Sequence, residues 1–169
     1  GIDPRAIGLV LLPLFHTGGM NGSVLPLLAI GATVVLRKRW DPADVLRTIE
    51  TERVSGMVGV PIQFQMMAEE ARFDHTDFSS VAALISGGGP LSDAVSARYL
   101  DKGLRFTQGY GLTEAAPGVT GMLPEEFQAH PGSVGRQCLH VDTQVVDAKG
   151  QSRAADEEGE IRVRGPNVM

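Results

Sequence analysis

The sequence is short of cysteine, of net positive charge and of any uninterrupted apolar stretch, and each shortage removes a class of protein. Cys138 is the one cysteine among 169 residues. Neither an internal disulfide framework nor a cysteine-based zinc site can form, and a reducing, cytoplasmic setting is expected. Fifteen Lys and Arg against twenty Asp and Glu give a formal charge of −5. That balance argues against nucleic acid as a partner, because proteins that bind it carry a basic face. Ala6–Leu36 contains no Asp, Glu, Lys or Arg over 31 residues, but Pro13, His16, Asn21, Pro26 and five glycines interrupt it. No apolar helix of about 20 residues can run through such a segment, so no membrane span is expected. A basic start followed by a short apolar core is missing, so no signal peptide is read. The chain opens on Gly1-Ile2-Asp3 without methionine and closes on Asn167-Val168-Met169, and both ends are expected to be cuts.

What is present fits an ordinary globular domain. Apolar residues make up 43% and charged residues 21%, which excludes disorder. A chain of this length buries roughly 70% of its unfolded surface, enough for a core without a staple. Glycine is in surplus, at 21 of 169 residues, roughly 12% against a usual ~7%. Such a surplus points to loops where backbone comes close to something.

Short apolar runs alternate with helical patterns. Strands are expected at Ile7–Leu12, Ala32–Leu36, Gly56–Val60, Val81–Ile85 and Leu104–Thr107, with helices near Gly22–Ile30, Pro42–Val54, Ile62–Ala71 and Asp93–Lys102. The second helix has the clearest start: Asp41 caps, Pro42 takes the first position, and Asp44 reaches back. Its apolar face is Val45, Leu46 and Ile49, and Ser55-Gly56 is expected to end it. Ser92 caps the last helix and Gly103 lies past its end. Alternation of this kind implies an α/β fold with a mostly parallel sheet and flanking helices. From about Pro117 a Gly- and Pro-rich loop is expected to run to Gly135. Val141–Val146 and Glu160–Arg164 then read as antiparallel strands beginning a β-rich subdomain, with Asp147–Gly150 as a turn. The expected division is residues 1–117 as an α/β nucleotide- and acyl-binding core and 118–169 as loop and β-rich segment, both parts of one truncated domain.

Three segments attract chemistry: Pro13-Leu-Phe-His16-Thr-Gly-Gly19, Ser86-Gly-Gly-Gly89-Pro90-Leu91, and Gln108-Gly-Tyr110-Gly-Leu-Thr113-Glu114. Each follows an expected strand, so in a parallel sheet they share the carboxyl edge where ligands of open α/β sheets bind. His16, Gly88 and Tyr110 are therefore expected to converge. Each segment also has a plainer reading. Gly87–Gly89 serve equally well as tight-turn residues, His16 as a hydrogen-bonded core histidine, and Tyr110 as a packing residue. The G-x-G-x-x-G spacing is absent and no Lys follows the glycines, which excludes the dinucleotide fingerprint and the Walker loop. Arg37-Lys38-Arg39 reads as a solvated strand end, with attraction of an anion the lesser alternative.

Gln108-Gly-Tyr-Gly-Leu-Thr-Glu114 resembles the Tyr-Gly-x-Thr-Glu signature of the adenylate-forming superfamily, which holds acyl- and aryl-CoA synthetases, luciferases and peptide-synthetase adenylation domains. Leu12–His16, Ser86–Leu91, Pro131-Gly-Ser-Val-Gly-Arg136 and Gly159-Glu-Ile-Arg-Val-Arg-Gly165 look like four further blocks in the same order. The resemblance implies that Tyr110 stacks on the adenine of ATP and that Gly87, Gly88, Gly89 and Gly111 line the nucleotide site. It implies that Gln108 and Gly109 border the acyl-adenylate, that Thr113 contacts the α-phosphate and that Glu114 ligates Mg²⁺. His16 would sit near the substrate carboxylate, with Pro117 in the wall of the acyl pocket. Gly89 departs from the pattern, since many relatives carry alanine there.

The family's phosphate loop would precede residue 1. Its ribose-binding Asp and its small domain with a catalytic lysine would follow Met169. The resemblance thus implies the central part of a large N-terminal domain. The parent would be a fatty-acid or other acyl-CoA ligase using ATP, Mg²⁺ and coenzyme A. Aryl-CoA and acyl-AMP ligases are the alternatives within the superfamily, and a non-catalytic nucleotide-binding or interaction module is the alternative outside it. Peptide-synthetase domains fit less well, having Phe-Asp where this chain has Phe15-His16. Oligomeric state is left open. The chain on its own is expected to release no pyrophosphate from ATP and a fatty acid; release from pure protein above a no-protein control would overturn the expectation that it is incomplete.

Overall fold

The computed structural model describes residues 3–169. Five strands, β1 (Ile7–Val10), β2 (Thr33–Leu36), β3 (Gly56–Gly59), β4 (Ala83–Ser86) and β5 (Phe106–Gly111), run parallel in the order β2-β1-β3-β4-β5. Parallel neighbours cannot be joined by a tight turn, and a helical segment fills each crossing. The first combines α1 (Thr17–Gly19), a π-helical turn (Met20–Val24) and α2 (Leu25–Ala29). The others are α3 (Pro42–Thr51), α4 (Pro61–Glu69) and α5 (Asp93–Leu100). β6 (Gly118–Gly121) and β7 (Arg136–Gln137) extend the sheet antiparallel to seven strands, with α6 (Pro124–Ala129) between them. β8 (Asp142–Val146) and β9 (Glu160–Arg164) form a separate antiparallel ribbon. The expected α/β architecture, a mostly parallel sheet followed by antiparallel strands, is the one observed.

The core follows from strand alternation. Leu9, Met57, Leu84 and Phe106 lie opposite one another in register, forming one apolar row across four strands. Val45, Leu46 and Ile49 from α3, Phe64 and Met67 from α4, and Tyr99 from α5 cover that row. The Phe106 ring meets Phe64 edge-on at 4.8 Å and Tyr99 at 5.0 Å, and Phe73 meets Tyr99 at 4.8 Å. Each such pair adds about 0.5–1.5 kcal/mol beyond its buried area. The buried Tyr99 hydroxyl donates to Phe64 O at 2.9 Å, and burial pushes the phenol's pKa up.

Local signals held in part. Asp41 Oδ1 accepts from the Asp44 N–H at 2.8 Å, as a cap should. The carboxylate of Asp44 turns instead toward Arg47, 3.4 Å away, and Arg37, 3.7 Å away. α3 stops at Thr51, earlier than expected. Arg53 adopts φ 52°, and its N–H and that of Val54 return to Glu50 O and Ile49 O. This is a Schellman end with arginine where glycine is usual. Ser55-Gly56 therefore leads into β3 and does not terminate the helix. α5 ends as expected, with Ser92 capping and Gly103 at φ 76°. Arg37 is not a solvated strand end: its guanidinium donates to Thr48 Oγ1 at 2.7 Å, tying β2 to α3.

The larger corrections lie after Ser86. The stretch expected as loop to Gly135 contains β6, α6 and the turn into β7. α6 had a readable start, because Pro124 takes its first position and Glu126 accepts from the Leu123 N–H at 3.2 Å. β6, Gly-Val-Thr-Gly, has no apolar period to read. β5 runs past the expected end at Thr107 and continues through Gly111, because β6 is there to pair with it.

Replacing Tyr99 by Phe is expected to cost ~1 kcal/mol, the share of one buried hydrogen bond. Tyr99→Ala is expected to cost about 3–5 kcal/mol through the cavity it leaves. Denaturant unfolding of the purified chain measures both; equal losses for the two variants would mean the ring cluster does not carry the core.

Candidate active site

Parallel order brings the carboxyl ends of β1, β3, β4 and β5 to one edge. The Gly87 N–H donates to Gly59 O at 3.1 Å, fastening the β4 loop to the end of β3. A Cβ at Gly87 would lie 3.8 Å from Gly109 O, so the same loop abuts β5. On the other side, a Cβ at Gly22 in the π turn would lie 3.5 Å from Pro117 Cγ. The segment after β1 therefore touches the segment after β5, and the three candidate segments share the edge that topology required. Gly22 carries no local mark in the sequence beyond the general surplus of glycine.

The side chains take up distinct positions. His16 is exposed, which removes the core-histidine reading. Its Nδ1 accepts from the Gly18 N–H at 3.3 Å, capping α1, so the neutral ring carries its proton on Nε2, as an available donor. Phe15 beside it is 93% exposed. Gly87 and Gly89 are half-buried and Gly88 is exposed at φ 77°. A Cβ at Gly89 would lie 3.7 Å from Pro61 Cγ, so the alanine carried by many relatives has room there.

Gln108, Gly109, Tyr110 and Gly111 form the end of β5 and are not loop, as had been expected. Gln108 is 5% exposed, on the helix-covered face with Phe106. Tyr110 is half-buried against Ala115, Val119 and Val141, and its N–H donates to Thr120 Oγ1 at 3.3 Å. The chain then makes a 3-10 turn, Thr113–Ala115, with Ala116 at φ 51° and a cis Ala116–Pro117 bond. Thr113 and Glu114 are exposed on this turn while Ala115 is buried beneath it. Leu112 N–H donates to Pro117 O at 3.0 Å and closes the loop. Gly111 is required here, because a Cβ would overlap the Pro117 carbonyl.

Among the described residues, the Glu114 carboxylate makes no salt bridge and no hydrogen bond. Among those residues there is also no group of three or more His, Cys, Asp or Glu that would cage a metal. One free carboxylate suits magnesium arriving with a phosphate ligand, which takes one or two protein carboxylates and keeps waters and phosphate oxygens.

On the sheet face opposite the core lies an apolar groove of about 700 Å³, running from the amino ends of β1, β3 and β4 to the π turn at Gly22. Gly8, Gly22, Ser23, Leu27, Val58 and Ile85 line it, with Asp3 and Arg5 at one rim. Gly8 lets Leu27 pack directly on the strand, since a Cβ would overlap the leucine side chain. Gly22 belongs both to the groove and to the contact with Pro117. Among the described residues no helix is long and apolar enough to cross a membrane.

The profile of AMP-binding enzymes matches residues 2–169. The chain belongs to this family. Among AMP-binding relatives, it is 42% identical over 167 residues to the feruloyl-CoA synthase of an Amycolatopsis species, covering 99% of this chain and 34% of that one. It is 37% identical over 161 residues to the indoleacetate–CoA ligase of Aromatoleum aromaticum, covering 95% of this chain and 32% of that one. In structure it resembles the O-succinylbenzoate coenzyme A synthetase of Bacillus subtilis in complex with ATP and magnesium ion, with a TM-score of 0.88 and 32% identity over 100% of this chain and 34% of that one. It also resembles the inhibitor-bound N-terminal domain of FACL13 from Mycobacterium tuberculosis, with a TM-score of 0.90 and 28% identity over 99% of this chain and 42% of that one. The chain thus spans about a third of the curated relatives it matches.

Gly111→Ala is expected to destabilise the chain by on the order of 2 kcal/mol through overpacking against Pro117. Gly87→Ala, which has room for the methyl, should shift the melting temperature far less. Thermal unfolding of both variants decides; a silent Gly111→Ala would refute the close approach of β5 and the Pro117 loop.

Proposed function

We propose that this chain is the nucleotide- and acyl-binding core of an ATP-dependent acid–CoA ligase, and that the acid is aromatic. The observation that carries the reading is the shared carboxyl edge, where Gly87 abuts Gly109 and Gly22 abuts Pro117. A site for acyl-adenylate needs glycine-walled space for a nucleotide, which this edge offers. It also needs apolar space for an acid, which the groove on the open sheet face supplies where it reaches Gly22. The enzymatic names of the relatives support the same class, and three of them act on aromatic acids by name: feruloyl-CoA synthase, indoleacetate–CoA ligase and 4-coumarate–CoA ligase.

The reaction has two displacements. A carboxylate oxygen attacks the α-phosphorus of ATP, the bond to pyrophosphate breaks, and acyl-adenylate remains. The sulfur of coenzyme A then attacks the acyl carbon, AMP leaves with the bonding pair, and the thiol proton goes to solvent. Holding acid and nucleotide around one phosphorus atom supplies much of the rate.

In this reading Tyr110 stacks on adenine, its far flank steadied by Ala115 and Val119. The backbone of Gly87, Gly88, Gly89, Gly109 and Gly111 lets the nucleotide approach. Thr113 donates its hydroxyl to the α-phosphate, where charge grows in the transition state. His16 donates from Nε2 to the acid's carboxylate and orients it. Gln108 borders the acyl-adenylate through its main chain, since its side chain is buried. Glu114 would hold Mg²⁺, which neutralises charge on the phosphates when bound. Gly22 lines the groove, and Pro117, against Gly22, walls the acid's approach to the carboxyl edge. A fatty acid, the acid first expected from the sequence, is the second reading; the apolar lining of the groove suits an alkyl chain as well.

In the full-length enzyme, Glu114→Gln should lower the adenylation rate roughly 100-fold with an unchanged melting temperature. Wild-type pyrophosphate release by that variant would defeat the metal assignment. A panel of ferulate, 4-coumarate, indoleacetate and palmitate, compared by kcat/KM, should favour an aromatic acid; preference for palmitate would reverse the choice of acid.

A further inference from the structure

The turn that presents Thr113 and Glu114 has little packing of its own, since only Ala115 is buried. Its backbone is held from a distant part of the chain. Asn167 Nδ2 donates to Ala115 O at 2.7 Å and to Gly118 O at 3.0 Å, and the Met169 N–H donates to Glu114 O at 2.9 Å. Leu112 N–H closes on Pro117 O, and Ala116 N–H on Thr113 O. The bonds from Asn167 and Met169 are therefore the ones that come from outside the turn and its two flanking strands.

The route to this clamp is built for it. Asn167 follows β9 by three residues, after Gly165-Pro166. A Cβ at Gly165 would lie 2.9 Å from His140 O and would overlap Asn167 Oδ1, so glycine is what lets the segment pass between them. Asn167 Oδ1 is buried without a hydrogen-bond partner. Leaving that acceptor unpaired costs free energy, which the two hydrogen bonds donated by the same amide offset.

We infer that Asn167 is a positioning residue: through Ala115 O and Gly118 O it fixes the turn so that Thr113 and Glu114 face the phosphates and their metal. This rests on the roles proposed above for those two residues. It adds that the β8–β9 ribbon, through the segment following β9, sets the geometry of the phosphate end of the site.

The test uses the full-length enzyme with two readouts. Hydrogen exchange without ligands should quicken about 10-fold at the Ala115 and Ala116 amides in Asn167→Ala, with β4 unchanged, because loss of the clamp permits local opening. The Mg²⁺ concentration giving half-maximal adenylation should rise on the order of 10-fold, while KM for the acid stays constant. A merely structural loss lowers the active fraction at every Mg²⁺ concentration and leaves that midpoint in place. Asn167→Asp keeps the shape and removes the amide donor, so it carries the test if the alanine variant fails to fold.

In a Glu114→Gln background Asn167→Ala should add no further shift in the Mg²⁺ midpoint, as two residues acting through one contact are not additive. Unchanged exchange at Ala115 and Ala116 overturns the clamp whatever Glu114 does. Faster exchange with an unmoved Mg²⁺ midpoint, where Glu114→Gln does move it, overturns the positioning role. If Glu114→Gln itself leaves the Mg²⁺ dependence unchanged, the metal assignment is what fails, and exchange then judges the clamp by itself.

Discussion

The contact of Phe106 with Phe64 and Tyr99 is the one on which the other parts depend. It joins β5 to α4 and α5 at once, and the row Leu9, Met57, Leu84 and Phe106 carries that anchoring across the sheet. Since interiors are close-packed, a helix seated this way fixes the height of the strand beneath it. β3 and β4 then end level with one another, β5 runs three residues further, and Gly87 after β4 lies against Gly109 of β5. The candidate site occupies the step between the end of β4 and the overrunning end of β5.

The two faces of the sheet differ in kind. One is sealed by α3, α4 and α5 around the aromatic cluster. The other carries a helix with a π-helical turn, glycines at Gly8 and Gly22, and the apolar groove. π turns insert a residue and redirect a helix, and they are frequent at functional sites. Here the widened turn brings Gly22 against Pro117 while Leu27 stays seated on Gly8. Rigidity lies on the sealed face and access on the other.

Much of this was legible because local chemistry and long-range need agreed. Asp41-Pro42 and Ser92 open α3 and α5 where their caps indicate, and Gly103 closes α5. Alternation of strands and helices was enough to place His16, Gly88 and Tyr110 on one edge, because parallel pairing permits nothing else. What was not legible depends on partners far away in sequence. β5 runs on through Gly111 because β6 is there to pair with it, and neither Gly109 nor Gly111 resembles a strand residue. Arg37 looked like solvated charge, and Thr48 makes it a tether. Arg53 ends α3 in a conformation that glycine would have signalled. Asn167 had no local mark, since its bonds lie across 52 and 49 positions.

That separation matters when the chain is made. Ala115 is synthesised 52 residues before the asparagine that bonds its carbonyl. At about 5–20 residues per second, the turn waits roughly 3–10 s for its partner. Hairpins form in about 1–10 μs, so β5 and β6 can pair long before the clamp exists. During translation the loop bearing Thr113 and Glu114 thus has a first life as an unfastened hairpin end, and it takes its final geometry only once the segment after β9 is made.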